Sequence, residues 1–154
     1  HNLKERVRTL EQYTRKKNVE ISGIPVTASE NVVEIVKDVG TALGVAVEES
    51  HINAAHRIPS YNKERPSSLI VQFQKKAQKD ILIAKYKEAR DLTARKINKA
   101  FPEQRVYVND HLSPENKQFM SKLKQKCREI GYTYSWFRDG KFFARNKPED
   151  KCVR

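Results

Sequence analysis

The sequence contains no long apolar segment and very few cysteines. No stretch approaches the roughly 20 consecutive apolar residues that a membrane-spanning helix needs. Cys127 and Cys152 are far apart and form no CxxC pair, so we expect two reduced thiols of an intracellular protein rather than a disulfide or a metal site. Hydrophobic residues make up 38% of the 154 residues and charged residues 32%, which allows one or two small domains with a thin core. The chain begins with His1 instead of Met, so we expect a fragment of a longer protein.

Motifs that carry enzyme chemistry are also missing. The sequence has no phosphate-binding P-loop, no GxGxxG, no HExxH and no GxSxG. No cysteine lies at metal-ligand spacing from His51, His56 or His111. Asp110, His111 and Cys127 are residue types that could form a nucleophile set, but scattered residues of these types occur in most chains. We therefore expect a protein that is not an enzyme and needs no cofactor and no metal.

Positive charge is what the sequence has in excess, and it is unevenly distributed. The formal net charge is +12, whereas residues 18–50 contain six acidic residues and one lysine, a net charge of −5, so the rest of the chain carries +17. A basic surface of this kind concentrates polyanions and gains free energy by releasing condensed counterions, which favours a nucleic-acid partner. An acidic membrane, an acidic protein or solubility alone are the alternative explanations.

The first residues have the spacing of a coiled coil. Leu3, Val7 and Leu10 are four and then three residues apart, with charged residues between them and Thr14 next in the series. Two heptads are too short to be stable alone, so we predict that residues 1–16 are the end of a longer coiled coil. An ordinary amphipathic helix is the alternative.

Residues 17–112 alternate between strand and helix patterns in the order βαββαβ. Right-handed crossovers then give a four-stranded antiparallel sheet with two helices on one face, the ferredoxin-like plan of RNA-recognition-motif domains. The fold class predicted for the whole chain is α+β. Strands are predicted at 18–25, 52–58, 68–74 and 105–112, helices from an N-cap at Ser29 to Gly44 and from Lys76 to Arg90, and a basic irregular loop at 95–105.

The helix that follows the third strand is predicted to face the core with Ala77, Ile81 and Ala84. The same spacing allows Ile83 on the inward face. The residues expected to point outward are Lys79, Lys85 and Lys87.

Residues 113–154 are predicted to form a small domain of one helix and one hairpin. Ser113, Pro114 and Glu115 begin the helix as N-cap, first-turn proline and acidic residue near its positive end, and Gly131 ends it. A domain of this size is only marginally stable alone, so we expect it to pack against the first domain. The apolar stripe of its helix is predicted to be Phe119, Leu123, Cys127 and Ile130.

The hairpin is indicated by Asp139-Gly140, which favours a type I′ turn. The predicted register pairs Arg138 with Lys141, Trp136 with Phe143, and Tyr134 with Arg145. One face then carries Tyr132, Tyr134, Trp136, Arg138, Lys141, Phe143 and Arg145, and the other carries Thr133, Ser135, Phe137, Phe142 and Ala144.

The predicted sheet lacks the usual surface for reading bases. An RNA-recognition motif normally stacks bases on aromatic residues of its first and third strands. Here these strands read NVEISGIP and SSLIVQFQ, in which Phe73 is the only aromatic residue and is itself a candidate for the core. The basic-glycine-aromatic signature of the third strand is absent as well. We therefore expect binding through phosphates and not base-specific readout.

A set of basic residues, interleaved with aromatic ones near the hairpin, is the remaining candidate for a binding surface. Such interleaving fits the backbone-plus-stacking chemistry by which proteins bind single strands. Alternatively, Trp136 and the nearby tyrosines pack under the helix of the small domain, and the arginines are only solvated. The candidates are Arg15, Lys16, Lys17, Arg57, Lys63, Arg65, Arg90, Arg95, Lys96, Lys99, Tyr134, Trp136, Arg138, Lys141 and Arg145.

Three stretches of the chain together resemble a known family. They are RKKNVEISGIP after the heptads, AAHRIPS with RPSSLIVQFQ, and VYVNDHLSPENK followed by a W-x-R-D-G-K-x-F hairpin. Over nearly its whole length the chain is similar to the domain shared by the few-polyhedra proteins of baculoviruses and the first-open-reading-frame proteins of LINE-type retrotransposons. The last of the three stretches is the most distinctive.

The resemblance implies a homotrimer formed through the coiled coil, a divergent RNA-recognition-motif domain and a small C-terminal domain, with RNA bound between the last two. By position it implies RNA contacts for Arg15 to Lys17, for Arg57 and for Lys141. The sequence departs from the mammalian proteins after the second helix, where their Arg-Glu-Lys-Gly stretch reads AKYKEARD, which affects Arg90. Lys117 is the base nearest to the arginine that those proteins have at the start of the next helix.

We therefore expect a sequence-nonspecific RNA-binding protein with chaperone activity in a retrotransposon-type ribonucleoprotein. The expected partners are single-stranded RNA or DNA and further copies of the protein, not a membrane, within the cell in cytoplasmic ribonucleoprotein, in the nucleus or in both. The alternative is a protein-interaction module of a viral or domesticated few-polyhedra-like protein, in which the acidic first helix of the sheet domain or the hairpin docks a partner.

Overall fold

The computed structural model of this protein describes residues 2–59 and 66–146. The chain divides into two compact units, Lys17–His111 and His1–Lys16 together with Leu112–Arg154. Both units combine helices with antiparallel strands, so the α+β class predicted from the sequence is confirmed. Three residues singled out in the sequence lie outside the described ranges: Lys63, Arg65 and Cys152.

Five helices and six strands make up the described structure. A single 3₁₀ turn at Glu49–His51 leads into the second strand. In chain order the elements are α1 (Asn2–Tyr13), β1 (Asn18–Ser22), α2 (Val32–Ala42), β2 (Ile52–Arg57), β3 (Leu69–Phe73), α3 (Lys76–Ala89), α4 (Ala94–Ile97), β4 (Tyr107–Asp110), α5 (Pro114–Ile130), β5 (Tyr134–Arg138) and β6 (Lys141–Arg145).

The four strands of the Lys17–His111 unit form one antiparallel sheet in the order β2-β3-β1-β4. The register places Val19 opposite Val71, and it places Ile21 between Leu69 and Val108. All five of these side chains are fully buried. Because paired residues of a sheet point to the same face, they form the apolar face on which α2 and α3 pack.

The opposite face of the sheet, here called the polar face, carries residues of another kind. Glu20 lies between Ile70 of β3 and Asn109 of β4, and Ile70 in turn pairs with His56 of β2. Tyr107 pairs with Ser22 in the next row. The alternation of β1, predicted from its sequence, therefore separates an apolar core from a mainly polar surface. The polar face thus includes Ser22, Glu20, Ile70, His56, Asn109 and Tyr107.

Helix α2 buries Ile35, Val36 and Val39, as its spacing predicted. Its N-cap, however, is Asn31, whose side chain accepts a hydrogen bond from the Glu34 amide at 3.2 Å. The predicted N-cap at Ser29 is wrong. Ser29 adopts a left-handed backbone conformation with φ 58°, so it belongs to the turn that precedes the helix.

The inward face of α3 differs from the one predicted, except that Ile83 is buried as the spacing allowed. The residues that reach the core are Lys79, Leu82 and Ile83. Ile81 is 52% exposed, and the two alanines expected inside with it are exposed as well. The Lys79 ammonium lies 2.6 Å from Asp110 Oδ1, and its side chain is only 4% exposed. The spacing of apolar residues does not predict this inward face. A lysine stem packs like an aliphatic side chain when a carboxylate from elsewhere in the chain pairs with its charge.

The basic segment after α3 is more regular than the loop that the sequence predicted. It contains the short helix α4, and Thr93 pairs with Arg105 as an isolated antiparallel bridge. The Val106 amide donates a hydrogen bond to the Leu92 carbonyl at 3.0 Å. Leu92 and Ala94 are buried in the core, so this segment is anchored by apolar contacts as well as by backbone hydrogen bonds.

Helix α5 begins and ends as its sequence predicted. The Ser113 side chain accepts a hydrogen bond from the Asn116 amide at 3.3 Å, and Pro114 occupies the first turn. Gly131 ends the helix in the left-handed conformation, with φ 80°. The predicted apolar stripe is only partly correct, because Cys127 is buried whereas Phe119 and Ile130 are 51% and 53% exposed.

Helix α1 has two faces with different surroundings. Gln12 is buried, and its side-chain oxygen accepts hydrogen bonds from the Ser113 amide at 3.0 Å and from Asn116 Nδ2 at 2.8 Å. At about 100° per residue, the heptad residues lie on the opposite side of the helix. These residues are exposed: Leu3, Val7 and Leu10.

The hairpin has the predicted register. Arg138 pairs with Lys141, and the two central turn residues, Asp139 and Gly140, have φ values of 50° and 79°. A type I′ turn requires positive φ at both positions, which explains the Asp-Gly sequence. The remaining predicted pairs, Trp136 with Phe143 and Tyr134 with Arg145, are also present.

Removing one partner of the Lys79–Asp110 pair should destabilise the sheet unit. We expect Asp110→Ala to lower the free energy of unfolding by roughly 3 kcal/mol, because a buried ammonium loses its carboxylate. Lys79→Met in the same chain should recover most of that loss. Urea denaturation provides the measurement.

The matched control is Asp80→Ala. Asp80 pairs with Lys76 at 2.8 Å on the exposed side of the same helix, and such surface pairs contribute less than about 1 kcal/mol. Equal losses for Asp110→Ala and Asp80→Ala would contradict a structural role for the buried pair.

Candidate nucleic-acid interface

The two faces of the β5–β6 hairpin are both aromatic, and one of them belongs to the core of its unit. Phe142 lies with its ring centroid 4.5 Å from that of Phe119 on α5, and 5.0 Å from that of Phe137. Ala144 on the same face is buried. The hairpin therefore packs on α5 through the face that carries Phe137, Phe142 and Ala144.

The opposite face of the hairpin holds the remaining aromatic residues, and Arg145 lies over their rings. The rings of Trp136 and Phe143 stack with centroids 5.4 Å apart. The Arg145 guanidinium carbon lies 5.3 Å from the Trp136 ring centroid and 5.6 Å from that of Tyr134. Tyr134 is 39% exposed. We call these four residues the hairpin platform: Tyr134, Trp136, Phe143 and Arg145.

The hairpin platform lies on the face of the hairpin that does not pack on α5. Because strand residues alternate between faces, Trp136 and Tyr134 point away from the side that contacts Phe119. The alternative in which Trp136 packs under the helix is therefore wrong. A cation beside half-exposed rings is the arrangement by which proteins bind bases and phosphates of a single strand.

Two further cations lie at the tip of the hairpin. Arg138 and Lys141 face each other across the turn and are exposed. Arg138 Nε is 3.9 Å from the carboxylate of the adjacent Asp139, and both side chains are well exposed. An ion pair this exposed is weak in water, so Arg138, like Lys141, remains able to bind phosphate.

The basic residues that follow α1 are already engaged with the end of that helix. Lys16 Nζ donates to the Tyr13 hydroxyl at 2.7 Å and lies 3.9 Å above the Tyr13 ring. Arg15 donates to the Glu11 carbonyl at 2.6 Å. Lys17, in the other unit, extends the sheet, since its carbonyl accepts from the Phe73 amide at 3.0 Å. All three basic side chains are partly exposed.

Arg57 occupies a structural position instead of the exposed one expected from the sequence. Its Nε donates to both carboxylate oxygens of Glu30 at 2.8 Å, and both side chains are 13% exposed. Its remaining nitrogens donate to the carbonyls of Ile24, Pro25 and Ser67. With its guanidinium directed into these contacts, Arg57 ties the end of β2 to the segment before α2 and is not the exposed phosphate contact that the sequence predicted.

The basic residues after α3 lie near one another in sequence and differ in their contacts. Arg90 ends α3 in the left-handed conformation, and Arg95 is exposed on α4. Lys96 Nζ lies 2.7 Å from Asp91 Oδ2. The hydrogen bond from Lys96, together with its charge, lowers the pKa of Asp91 below its ordinary value. Asp91 therefore stays ionised and neutralises part of this basic segment.

One aromatic–cation pair in the sheet unit was missed in the sequence. Arg105 lies with its guanidinium carbon 5.4 Å from the ring centroid of Tyr107, which is 45% exposed on the polar face. The alternation RVYV is the sequence signal for this pair, because it places Arg105 and Tyr107 on one face of the strand. Among residues 2–59 and 66–146, three tyrosines are exposed, and Tyr13, Tyr107 and Tyr134 each have a cation beside the ring.

The central strands of the sheet offer no aromatic surface, as their sequences predicted. Phe73, their one aromatic residue, is 1% exposed and belongs to the core. The middle of the polar face carries Glu20, whose carboxylate would repel phosphate. Lys117, exposed on the first turn of α5, is the last of the predicted contacts.

Replacing Arg57 should affect stability and leave the salt dependence of nucleic-acid binding unchanged. Arg57→Gln removes the partner of Glu30 and several carbonyl hydrogen bonds, so we expect a loss of roughly 3 kcal/mol in urea unfolding. Binding of a uridine 20-mer by the remaining folded protein should keep its dependence on salt. A salt slope that falls by about one, which is the signature of a lost phosphate contact, would return Arg57 to the interface.

No protein-family model matches the chain, and no curated protein matches its sequence. Within residues 2–59 and 66–146, no group of three or more histidine, cysteine, aspartate or glutamate residues is placed to hold a metal ion. None of the helices in these ranges is long and apolar enough to span a membrane. The geometry and charge of the described residues therefore carry the functional argument.

Proposed function

We propose that this protein binds single-stranded nucleic acid, RNA in the first place, without reading its base sequence, and that the hairpin platform is its main contact surface. The observation that carries the proposal is the position of Arg145 over two rings on the face of the hairpin that does not pack on α5. Arg138 and Lys141 extend the same face at the turn.

The two kinds of group on this face supply two kinds of binding energy. Stacking of a base on an aromatic side chain contributes about 1–3 kcal/mol and tolerates any base, because every base has a π-face. The cations contact phosphates, and such contacts release counterions irrespective of sequence. Between Tyr134 and Arg145 the strand residues of this face include no amide and no carboxylate to read a base edge. Binding is therefore tight at low salt and little dependent on sequence.

The combination of positive charge with exposed aromatic rings favours nucleic acid over the other polyanionic partners. A net charge of +12, with the negative charge concentrated in residues 18–50, attracts any polyanion. An acidic membrane or an acidic protein would need only the cations. Half-exposed rings next to those cations fit a partner that has bases as well as phosphates.

We also propose which fold and which protein family this chain belongs to, and where it acts. The βαββαβ order and the antiparallel sheet order β2-β3-β1-β4 support a ferredoxin-like domain of the RNA-recognition-motif type. On this basis the protein is a non-catalytic, intracellular RNA chaperone related to the LINE-type first-open-reading-frame and few-polyhedra proteins. The absence of an aromatic surface on β1 and β3 explains why the hairpin takes over the role of stacking bases.

Self-association through α1 belongs to the same proposal. The three apolar heptad residues of α1 are exposed on the side opposite Gln12, which is the side bound to the start of α5. An exposed apolar stripe with heptad spacing is buried most simply against the same stripe of another copy. Several copies on one RNA would bind more tightly than one, because each further contact is intramolecular.

Disrupting the stripe should weaken self-association and leave the two units folded. We expect Leu3→Ser combined with Val7→Ser and Leu10→Ser to shift sedimentation at high protein concentration toward the monomer. Circular dichroism of β-structure serves as the control for folding. Identical sedimentation of the variant and the parent chain would rule out association through this stripe.

Changes in the hairpin platform should weaken binding to all sequences alike. Trp136→Leu keeps an apolar side chain and removes the indole ring, so we expect binding of uridine, adenosine and cytidine 20-mers to weaken by at least about fivefold. Lys141→Gln should lower the slope of log affinity against log salt by about one. Fluorescence anisotropy across a salt series measures both effects.

Lys126→Gln is the matched control for Lys141→Gln. It removes the same charge from an exposed position on α5, so a general effect of net charge would be equal in the two variants. A larger effect of Lys141→Gln supports a local site. Salt-independent binding by the parent chain, or no binding at all, would overturn the proposed function.

A protein-docking role is the second candidate, and the half-exposed apolar rings of Trp136 and Phe143 are the observation that favours it. A partner held by these rings would remain bound after nuclease treatment, whereas a partner bridged by RNA would be released. Recovery of a partner that resists nuclease and depends on Trp136 would favour this candidate.

A further inference from the structure

An aromatic–cation pair lies at the start of strand β4, at the edge of the sheet in the Lys17–His111 unit. Arg105 and Tyr107 precede and begin the strand, and the alternation of the strand places both on the polar face. Tyr107 is 45% exposed, and its Cα partner across the sheet is the small residue Ser22. One side of the ring thus has little side-chain volume next to it.

The backbone that carries this pair is firmly held. Val106 and Val108, on either side of Tyr107, are fully buried in the core. The Val106 amide donates to the Leu92 carbonyl at 3.0 Å. Gly23, with φ 95°, lies so close to the Arg105 carbonyl that a Cβ at this position would collide with it. The ring of Tyr107 therefore projects from a fixed strand rather than from a loop.

The Arg105 side chain is held less firmly than its backbone. Among the described residues, its guanidinium donates one hydrogen bond, to the Arg90 carbonyl at 3.3 Å, which is long for such a bond. It also lies 5.4 Å from the Tyr107 ring centroid, and, after Lys96, its positive charge helps to lower the pKa of Asp91. A phosphate could take over this guanidinium at the loss of one weak hydrogen bond.

The charge around the pair suits an anionic ligand. Residues 90–107 contain five basic and two acidic residues, and one of the acidic residues, Asp91, is already bound to Lys96. Charged residues are common at sheet edges, where they prevent pairing with other strands. That purpose does not require a half-exposed aromatic ring on the face of the sheet.

We propose that Tyr107 and Arg105 form a second contact surface for single-stranded nucleic acid, separate from the hairpin platform. A base stacks on the Tyr107 ring, and the Arg105 guanidinium binds the adjoining phosphate, with Arg90 and Arg95 contributing charge nearby. The inference rests on the proposed function, since it assumes the same class of ligand. It assigns to the sheet unit a contact at the edge of the sheet, whereas an ordinary RNA-recognition motif binds RNA on its central strands.

A chain with two contact surfaces should bind long single strands more tightly than either surface alone. Occupation of one surface raises the effective concentration of the rest of the same strand at the other. Loss of one surface should consequently weaken binding without abolishing it.

Variants of the full chain can test the second surface with a 20-mer of uridine. Tyr107→Leu keeps an apolar side chain and should weaken binding by about fivefold or more, because it removes the ring. Tyr107→Phe keeps the ring and should bind within about twofold of the parent chain. Arg105→Gln should lower the salt slope by about one. The control is Ile81→Ala, an exposed apolar change on α3, on the other side of the sheet, which should leave binding unaltered.

Photo-crosslinking with a 4-thiouridine 20-mer separates this inference from the proposed function. Crosslinks mapped to both Tyr107 and Trp136 support the two surfaces. A crosslink at Trp136 with none at Tyr107, together with unchanged affinity of Tyr107→Leu, overturns the inference and leaves the hairpin platform standing. A crosslink at Tyr107 alone supports the inference and overturns the role of the hairpin. An absence of binding by the parent chain overturns both.

Discussion

Two largely buried ion pairs tie the edge strands of the sheet to the helices or to the segments that lead into them. At the end of β2, Arg57 binds Glu30 just before α2, and at the end of β4, Asp110 binds Lys79 of α3. A chain with 38% hydrophobic residues has few apolar side chains left for these positions. Withdrawing such charges from water costs several kcal/mol per ion, and this cost is offset only where further hydrogen bonds are made. The three backbone carbonyls around Arg57 supply those bonds.

The features that the sequence predicted well are those whose chemistry is local. Ser113 and Pro114 specify the start of α5 within four residues, and Asp139-Gly140 specifies both the turn and the register of the hairpin. Strand alternation then assigned Trp136 and Phe142 to opposite faces. Which of the two faces would meet α5 was left open, because that choice depends on the fit of side chains from another element.

The features that the sequence predicted badly depend on partners far along the chain. Lys79 pairs with an aspartate 31 positions away, and Arg57 pairs with a glutamate 27 positions away. Sequence spacing does not indicate such distant pairs, so it predicts Lys79 at the surface and Arg57 in contact with RNA. Basic residues in this chain serve as core material, as ring partners and as candidate phosphate contacts. Net charge and spacing do not separate these roles, whereas burial and the number of acceptors around each nitrogen do.

Trp136 is the only tryptophan of the chain, and it lies in the hairpin in contact with Phe143 and Arg145. Its emission therefore reports on the unit that contains the hairpin. Circular dichroism, by contrast, weights both units. Unfolding followed by the two signals would give separate stabilities for the two halves, and coincident curves would mean that they unfold as one cooperative block. The protein carries its own optical label for the question of whether its two units are thermodynamically independent.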